Sequence, residues 1–256
     1  MYKIPANTLF IGKKLVYVPE CHSTNSLTLE MTRKEYLPEG TVVITTNQKR
    51  GRGQQGNAWI SEPGKNLTFS LVLKPTFLAI RDLFLLNMVV SLAIRDFLQD
   101  HVQLKVYVKW PNDIIADDHK LCGILIENQI QGDSFSNSVV GIGLNVNQSA
   151  FYSKHASSMS MLTGRSFDLQ KMFERVVEKL EAWYLLLRKG LITQIKDSYS
   201  SSLYGDKELR NFRTAGGLFE GKIVGVDDAG KLIINTKDGL RHFNFKEVQF
   251  DFEPLK

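Results

Sequence analysis

The residues of this chain best suited to chemistry gather in Gly51-Arg52-Gly53-Gln54-Gln55-Gly56-Asn57-Ala58-Trp59, where three glycines, a guanidinium and an indole fall within nine positions. Glycines let a backbone take positive φ and bring its N–H groups close to a ligand. Arg52 adds a planar fork of donors that suits a carboxylate or a phosphate. Together they read as a loop that wraps an anion. The spacing Gly51-x-Gly53-x-x-Gly56 coincides with the dinucleotide fingerprint, which needs a helix to open at its third glycine and an acidic residue about 20 positions further on. Here Gly56 leads into a turn-rich run ending at Pro63-Gly64, and residues 66–73 then alternate as a strand does. The loop therefore joins strand to strand, and the dinucleotide reading fails.

Other candidates fall at element ends, where binding sites form. Ser23-Thr24-Asn25 precedes Leu27, Leu29 and Met31, a helix start with a hydroxyl cap, and Gln48 follows a buried strand at 41–46. Lys109 ends an alternating strand at 104–109, with Pro111 fixing the turn of Trp110-Pro111-Asn112-Asp113. Taken singly, Ser23 and Thr24 read equally well as helix caps, Lys109 as a solvated strand end, Asn112 and Asp113 as turn formers, and Glu127 as an outward-facing polar residue. Only their combination with the glycine loop favours function. The chain contains no GxSxG elbow, no HExxH and no Walker A run, and Cys21 beside His22 does not make a catalytic dyad. Anion-binding and amide groups without a nucleophile point to electrostatic catalysis on a phosphate or acyl-phosphate, by positioning and charge neutralisation.

The elements that must hold these residues are legible in outline. Strands are expected at 15–18, 41–46, 66–73, 104–109 and 138–146, with 114–116 and 121–127 forming a hairpin about Asp117-Asp118-His119-Lys120, so the sheet is mostly antiparallel. Residues 82–99 read as an amphipathic helix. Asp168 caps a longer one in which Leu169, Met172, Phe173, Val176, Val177, Leu180, Trp183, Tyr184 and Leu187 recur at three- and four-residue steps until Gly190. A short helix at 192–199 follows, and from about 205 the turns at Ala215-Gly216-Gly217, Asp227-Asp228-Ala229-Gly230 and Lys237-Asp238-Gly239 mark a small all-β module. The expected organisation is an α+β domain over 1–204 and a β domain over 205–256.

The composition excludes several classes. The richest apolar run, 83–94, is shorter than the roughly 20 residues of a membrane span, and the N-terminus has no signal-peptide pattern, so a cytoplasmic protein without a membrane partner is expected. The two cysteines lack metal-ligand or disulfide spacing. A net charge of +5 mildly favours anionic partners, yet Lys and Arg do not cluster as a nucleic-acid reader's would.

Five ordered motifs carry a resemblance to the biotin protein ligases. They are Ser23-Thr24-Asn25; Thr46-x-Gln48-x-x-Gly51-Arg52-Gly53 with Gly56 and Trp59; Lys109-Trp110-Pro111-Asn112-Asp113; Lys120-Leu121-Cys122-Gly123-Ile124-Leu125-Ile126-Glu127; and Gly141-Ile142-Gly143-Leu144-Asn145-Val146-Asn147. The resemblance implies a class II synthetase-like catalytic domain, a mixed and mostly antiparallel sheet with flanking helices, followed by a small SH3-like β domain. It implies that biotin attacks Mg-ATP to give biotinyl-5′-AMP, which a lysine of a biotin carboxyl carrier protein domain then attacks. Carried over by motif, the biotin-binding residues are Ser23, Thr24, Asn25, Gln48, Gly51, Arg52, Gly53, Gln54, Lys109 and Gly123. Those for ATP or adenylate are Arg52, Gly53, Gln54, Gly56, Trp59, Lys109, Asn112 and Asn145, with Arg52 and Lys109 as the catalytic pair.

The ligands of Mg²⁺ are not assigned by the resemblance, and the protein is expected as a monomer or homodimer. Two departures stand out. Gln54 occupies a position where many relatives carry a second arginine, and the chain begins close to the first strand, so no operator DNA binding is expected. The enzyme rival is a lipoate ligase or octanoyl transferase, against which the Gly-Arg-Gly loop and Lys109-Trp110-Pro111-Asn112-Asp113 argue. A non-catalytic nucleotide- or nucleic-acid-binding module leaves the motif order unexplained.

Overall fold

The structure, a computed structural model, describes residues 2–131, 134–206 and 208–250, without the side chains of Gln55 and Ser134. Positions 207 and 251–256 of the expected C-terminal module lie outside the described residues.

In chain order the elements are β1 (Leu15–Cys21), α1 (Thr24–Lys34), β2 (Val42–Gln48), β3 (Gly51–Arg52), β4 (Ala58–Trp59), β5 (Leu67–Leu73), α2 (Phe84–Gln99), β6 (Val106–Lys109), β7 (Asp113–Ala116), β8 (His119–Gln131) and β9 (Ser134–Leu144). After them come α3 (Met159–Thr163), α4 (Leu169–Arg188), α5 (Ile192–Ser201), β10 (Leu209–Thr214), β11 (Gly217–Val226), β12 (Leu232–Thr236), β13 (Gly239–Phe243) and β14 (Gln249–Phe250).

Seven strands make the main sheet in the order β1-β2-β5-β9-β8-β7-β6; only the β1–β2 pair is parallel. This is the mixed, mostly antiparallel α+β sheet that the sequence patterns predict. The period of two along each strand divides its faces. On β5, Phe69 packs edge-on against Phe173 of α4, with ring centroids 5.6 Å apart, whereas Ser70 turns the other way to Thr24 and Asn25 of α1. One face thus carries the core under α2 and α4, and the other carries α1 and the polar residues.

Helix α2 departs from expectation. It is buried on nearly all sides, every residue from Met88 to Ile94 included, because it lies against α4, α5 and the strands β6 to β8 at once. Helix α4 is amphipathic as its spacing requires, and Asp168 caps it by accepting from the N–H groups of Gln170 and Lys171. Gly190 follows it with φ +75°.

The five C-terminal strands form a separate antiparallel sheet, β13-β12-β11-β10-β14, around Phe212, Phe219, Phe243 and Phe250. It docks through the indole of Trp110, whose Nε1 donates to Gly230 O at 2.9 Å and whose ring meets Phe245 edge-on with centroids 5.1 Å apart.

Candidate active site

A single cross-strand row organises the site. Lys109 of β6 is paired with Asp113 of β7, Asp113 with Gly123 of β8, Gly123 with Gly143 of β9, Gly143 with Thr68 of β5, and Thr68 with Thr45 of β2. The register puts all six on one face, so residues as far apart in sequence as Thr45 and Gly143 share one row. The next row on the same face holds Ser70, Gly141 and Leu125.

The two glycines in the middle make a floor without side chains. A Cβ on Gly143 would lie 2.3 Å from the Trp59 ring, and one on Gly123 would lie 3.0 Å from it, so the indole rests directly on the strands. A Cβ on Gly141 would lie 2.3 Å from the Asn25 side chain.

Above this floor is a cavity of 390 Å³, within the usual size of small-molecule sites. Ser23, Thr24, Asn25 and Gln48 close one side; Arg52, Gly53, Gln54 and Trp59 form the loop wall; Lys109, Asn112, Asp113 and Lys120 stand at the far strands.

Most of these polar groups already have partners. Ser23 caps α1, accepting from Ser26 N–H, and its neighbour Thr24 donates its N–H to Gln48 Oε1 at 2.8 Å. Ser23 alone is the cap, and both residues line the cavity. Asn25 donates to Leu125 O and to Glu127 Oε2, and its Oδ1 accepts from Ser70 Oγ. Asn112 donates to Ile124 O, which ties the turn after β6 to β8.

The glycine loop is a small hairpin. β3 pairs with β4, and one turn of 3-10 helix at Gln54–Gly56 joins them. This corrects the reason for its glycines. Gly56 alone of the three has positive φ, +87°, whereas Gly51 is required by packing, since a Cβ there would lie 2.3 Å from Trp59 O and 2.4 Å from Gln48 Nε2. Gly53 N–H donates to Asn57 O inside the hairpin. The loop's anion-binding capacity therefore resides mainly in Arg52.

Charge is balanced across the site. Arg52 Nη2 lies 2.5 Å from Glu127 Oε2, and Lys120 Nζ lies 2.7 Å from Asp113 Oδ1. Burial holds the Lys109 ammonium below the ordinary lysine pKa, with Asp113 opposing the shift and Lys120 adding to it. Its Nζ also lies 5.5 Å from the centre of the Phe250 ring.

Three of the residues singled out from sequence do not line this cavity. Gly51 and Gly56 border a second depression, between the outer side of the hairpin and Leu125 and Glu127. Asn145 directly follows β9 and is buried outside the cavity, donating to Ser157 O, and its Oδ1 has no hydrogen-bond partner among the described residues. Conversely, sequence reasoning passed over Thr68, Lys120 and the wall made by Phe245, Lys246, Val248, Gln249 and Phe250 of the C-terminal sheet. Lys120 had a signal, since it opens the fourth motif. The wall had none, because it comes from a segment far away in sequence.

A mixed sheet with a glycine floor, a hairpin arginine and two lysines defines a class of protein with a cavity suited to small anions. Residues 17–145 match the Biotin/lipoate A/B protein ligase family and residues 211–251 the Biotin protein ligase C terminal domain, and the chain belongs to the first of these families. It is 28% identical over 247 residues to the Bifunctional ligase/repressor BirA of Bacillus subtilis, covering 94% of this chain and 75% of that one. It is 27% identical over 236 residues to the Biotin–[acetyl-CoA-carboxylase] ligase of Paracoccus denitrificans, covering 89% and 97%. The biotin protein ligase of Aquifex aeolicus in complex with biotin and ATP has the same fold, with a TM-score of 0.78 at 24% identity over 93% of this chain and 100% of that one.

Proposed function

We propose that this chain is an ATP-dependent biotin protein ligase, which activates biotin as biotinyl-5′-AMP and transfers it to a lysine of a biotin carboxyl carrier protein domain. The ligase class follows from the family, and the preference for biotin is supported by the C-terminal domain match and by relatives named as biotin ligases. The observation that carries the site assignment is the row from Lys109 to Thr68, which sets cations, a bare glycine floor and polar α1 residues around one cavity.

In the first step an oxygen of the biotin carboxylate attacks the α-phosphorus, and the bond to the bridging oxygen breaks to release pyrophosphate. The carboxylate is ionised near neutral pH, so no general base is needed. What the protein must supply is positive charge where three anionic groups meet, and Arg52, Lys109, Lys120 and Lys246 are the cations that line the cavity. In the second step the carrier lysine's neutral amine attacks the acyl carbon, AMP leaves, and the nitrogen loses a proton.

We assign Ser23, Thr24, Asn25 and Gln48 to the ureido end of biotin, with Gly123 in the floor beneath it. Asn25 acts there chiefly by shape, since its amide N–H groups are committed to Leu125 and Glu127. Gln54, Trp59, Asn112 and the C-terminal wall are assigned to the nucleotide end. The unpartnered Oδ1 of Asn145 has the chemistry to accept from an exocyclic amine. Mg²⁺ would accompany ATP on its phosphates, a mode that needs no cluster of protein ligands.

Pyrophosphate exchange tests the reading. Incubated with ATP and labelled pyrophosphate, the protein should incorporate label into ATP only when biotin is present. Exchange that needs lipoate instead, or none with biotin, would overturn it.

A further inference from the structure

Arg52 is the one cation that the hairpin contributes to the cavity, yet its guanidinium is turned to Glu127. That carboxylate lies on β8, outside the main cavity, in the second depression beneath the hairpin. The same oxygen, Oε2, accepts from Arg52 Nη2 at 2.5 Å and from Asn25 Nδ2 at 3.0 Å. From Asn25 the hydrogen-bonded chain continues through Ser70 and Thr24 to Gln48. One acidic side chain therefore joins the loop cation to the residues at the opposite end of the binding site.

We propose that Glu127 is a positioning residue that serves as the resting counterion of Arg52 and is displaced from it by the carboxylate of the incoming acid. The proposal rests on the biotin ligase reading. A guanidinium paired with a carboxylate presents little net charge to a second anion, so ligand binding to Arg52 is an exchange of one carboxylate for another. The pair is partly open to water, with side-chain exposures of 42% for Arg52 and 27% for Glu127, so the exchange is shallow and reversible. Its consequence is selectivity. A ligand that lacks the carboxylate, or presents it out of reach, leaves Arg52 where it is and gains nothing from the loop. Glu127 also remains anchored by Asn25 after the exchange, so the arginine alone moves while the floor stays in place.

The test compares biotin with biotinamide, its neutral carboxamide, by titration calorimetry at low ionic strength without ATP. In Glu127→Gln the amide oxygen can still accept from Asn25, but the charge that competes for Arg52 is gone. Biotin should bind this variant roughly two- to fivefold more tightly than it binds wild type, and biotinamide should bind both alike. The gain should shrink in 0.5 M salt, where the Debye length is about a third of that at 0.05 M, and it should vanish when Arg52→Ala is added. Glu127→Asp, whose shorter side chain cannot hold Arg52 as closely, should shift biotin binding in the same direction. A purely structural Glu127 predicts the opposite sign, both ligands weakening together; that result, or an effect that survives Arg52→Ala, would remove the role. Failure of the wild-type protein to bind biotin would instead sink the ligase reading on which the proposal depends.

Discussion

In the proposed reaction Lys109, Lys120 and Arg52 divide the work of neutralising charge, and their surroundings differ enough to separate them by experiment. Lys109 is pushed below the usual lysine pKa of 10.5, chiefly by burial. The charged form, which attracts an anion, persists below the folded-state pKa and is lost as pH rises through it. The rate of adenylation per free enzyme, kcat/KM, should therefore fall on the alkaline side earlier than an unshifted lysine allows. Lys109→Arg keeps the charge at every accessible pH and should abolish that limb, which a pH profile of pyrophosphate exchange will detect. Lys109→Ala and Arg52→Ala should each slow adenylation by about 100-fold, the size of a lost electrostatic donor. The glycine floor makes a sharper test. In Gly143→Ala the new Cβ meets the Trp59 ring, so the indole must leave its seat, and kcat/KM should fall by about 100-fold while the fold survives. Rate measurements alongside thermal melts will separate the two effects. At this scale the sequence was informative where a residue type is rare in its context, as with Arg52 between glycines. It read Glu127 as an outward-facing polar residue and missed its pairing with Arg52, because a carboxylate on an apolar strand looks the same whether it faces water or a guanidinium.

Elements place those residues, and here the readable and the hidden differ for physical reasons. The strands expected at 66–73, 121–127 and 138–146 and the cap at Asp168 are local patterns, and both are found in the structure, with β5 buried along its whole length. The burial of α2 on all sides depends on three partners that no window of sequence contains, so its amphipathic reading fell short. α3 is five residues long, too short to show a period at all. The hairpin of the glycine loop was hidden because each of its strands is two residues long and its glycines suggested an open cradle. The cap offers a control that should leave chemistry alone. Asp168→Ala removes the acceptor of two N–H groups on α4 and should cost about 1 kcal/mol, lowering the melting temperature by roughly 2–4 °C. Biotin binding measured on the same preparation should be unchanged, since α4 lies against the opposite face of the sheet from the cavity.

For the whole molecule the decisive feature is that the C-terminal sheet forms part of the cavity wall. Sequence patterns place a small β module after the catalytic region, but they hold no record of which surface it covers. Five of its residues, from Phe245 to Phe250, border the cavity, and Phe250 lies against the buried Lys109. The module is held there by Trp110, a neighbour of Lys109 in the same motif, so the segment that supplies a cation also fixes the sheet that covers it. Gly230 is suited to this contact because its φ of +86° and the 2.4 Å approach of Phe84 to any Cβ leave room for nothing larger. Trp110→Phe keeps an aromatic ring in the pocket while leaving the Gly230 carbonyl without its donor, a loss of about 1–3 kcal/mol that falls on the docking of the sheet. If the C-terminal wall serves the nucleotide, the KM for ATP should rise several-fold in this variant while the affinity for biotin measured without ATP stays as in wild type. Equal weakening of both ligands would mean that the sheet supports the cavity as a whole, and no change in either would mean that the wall is not part of the nucleotide site.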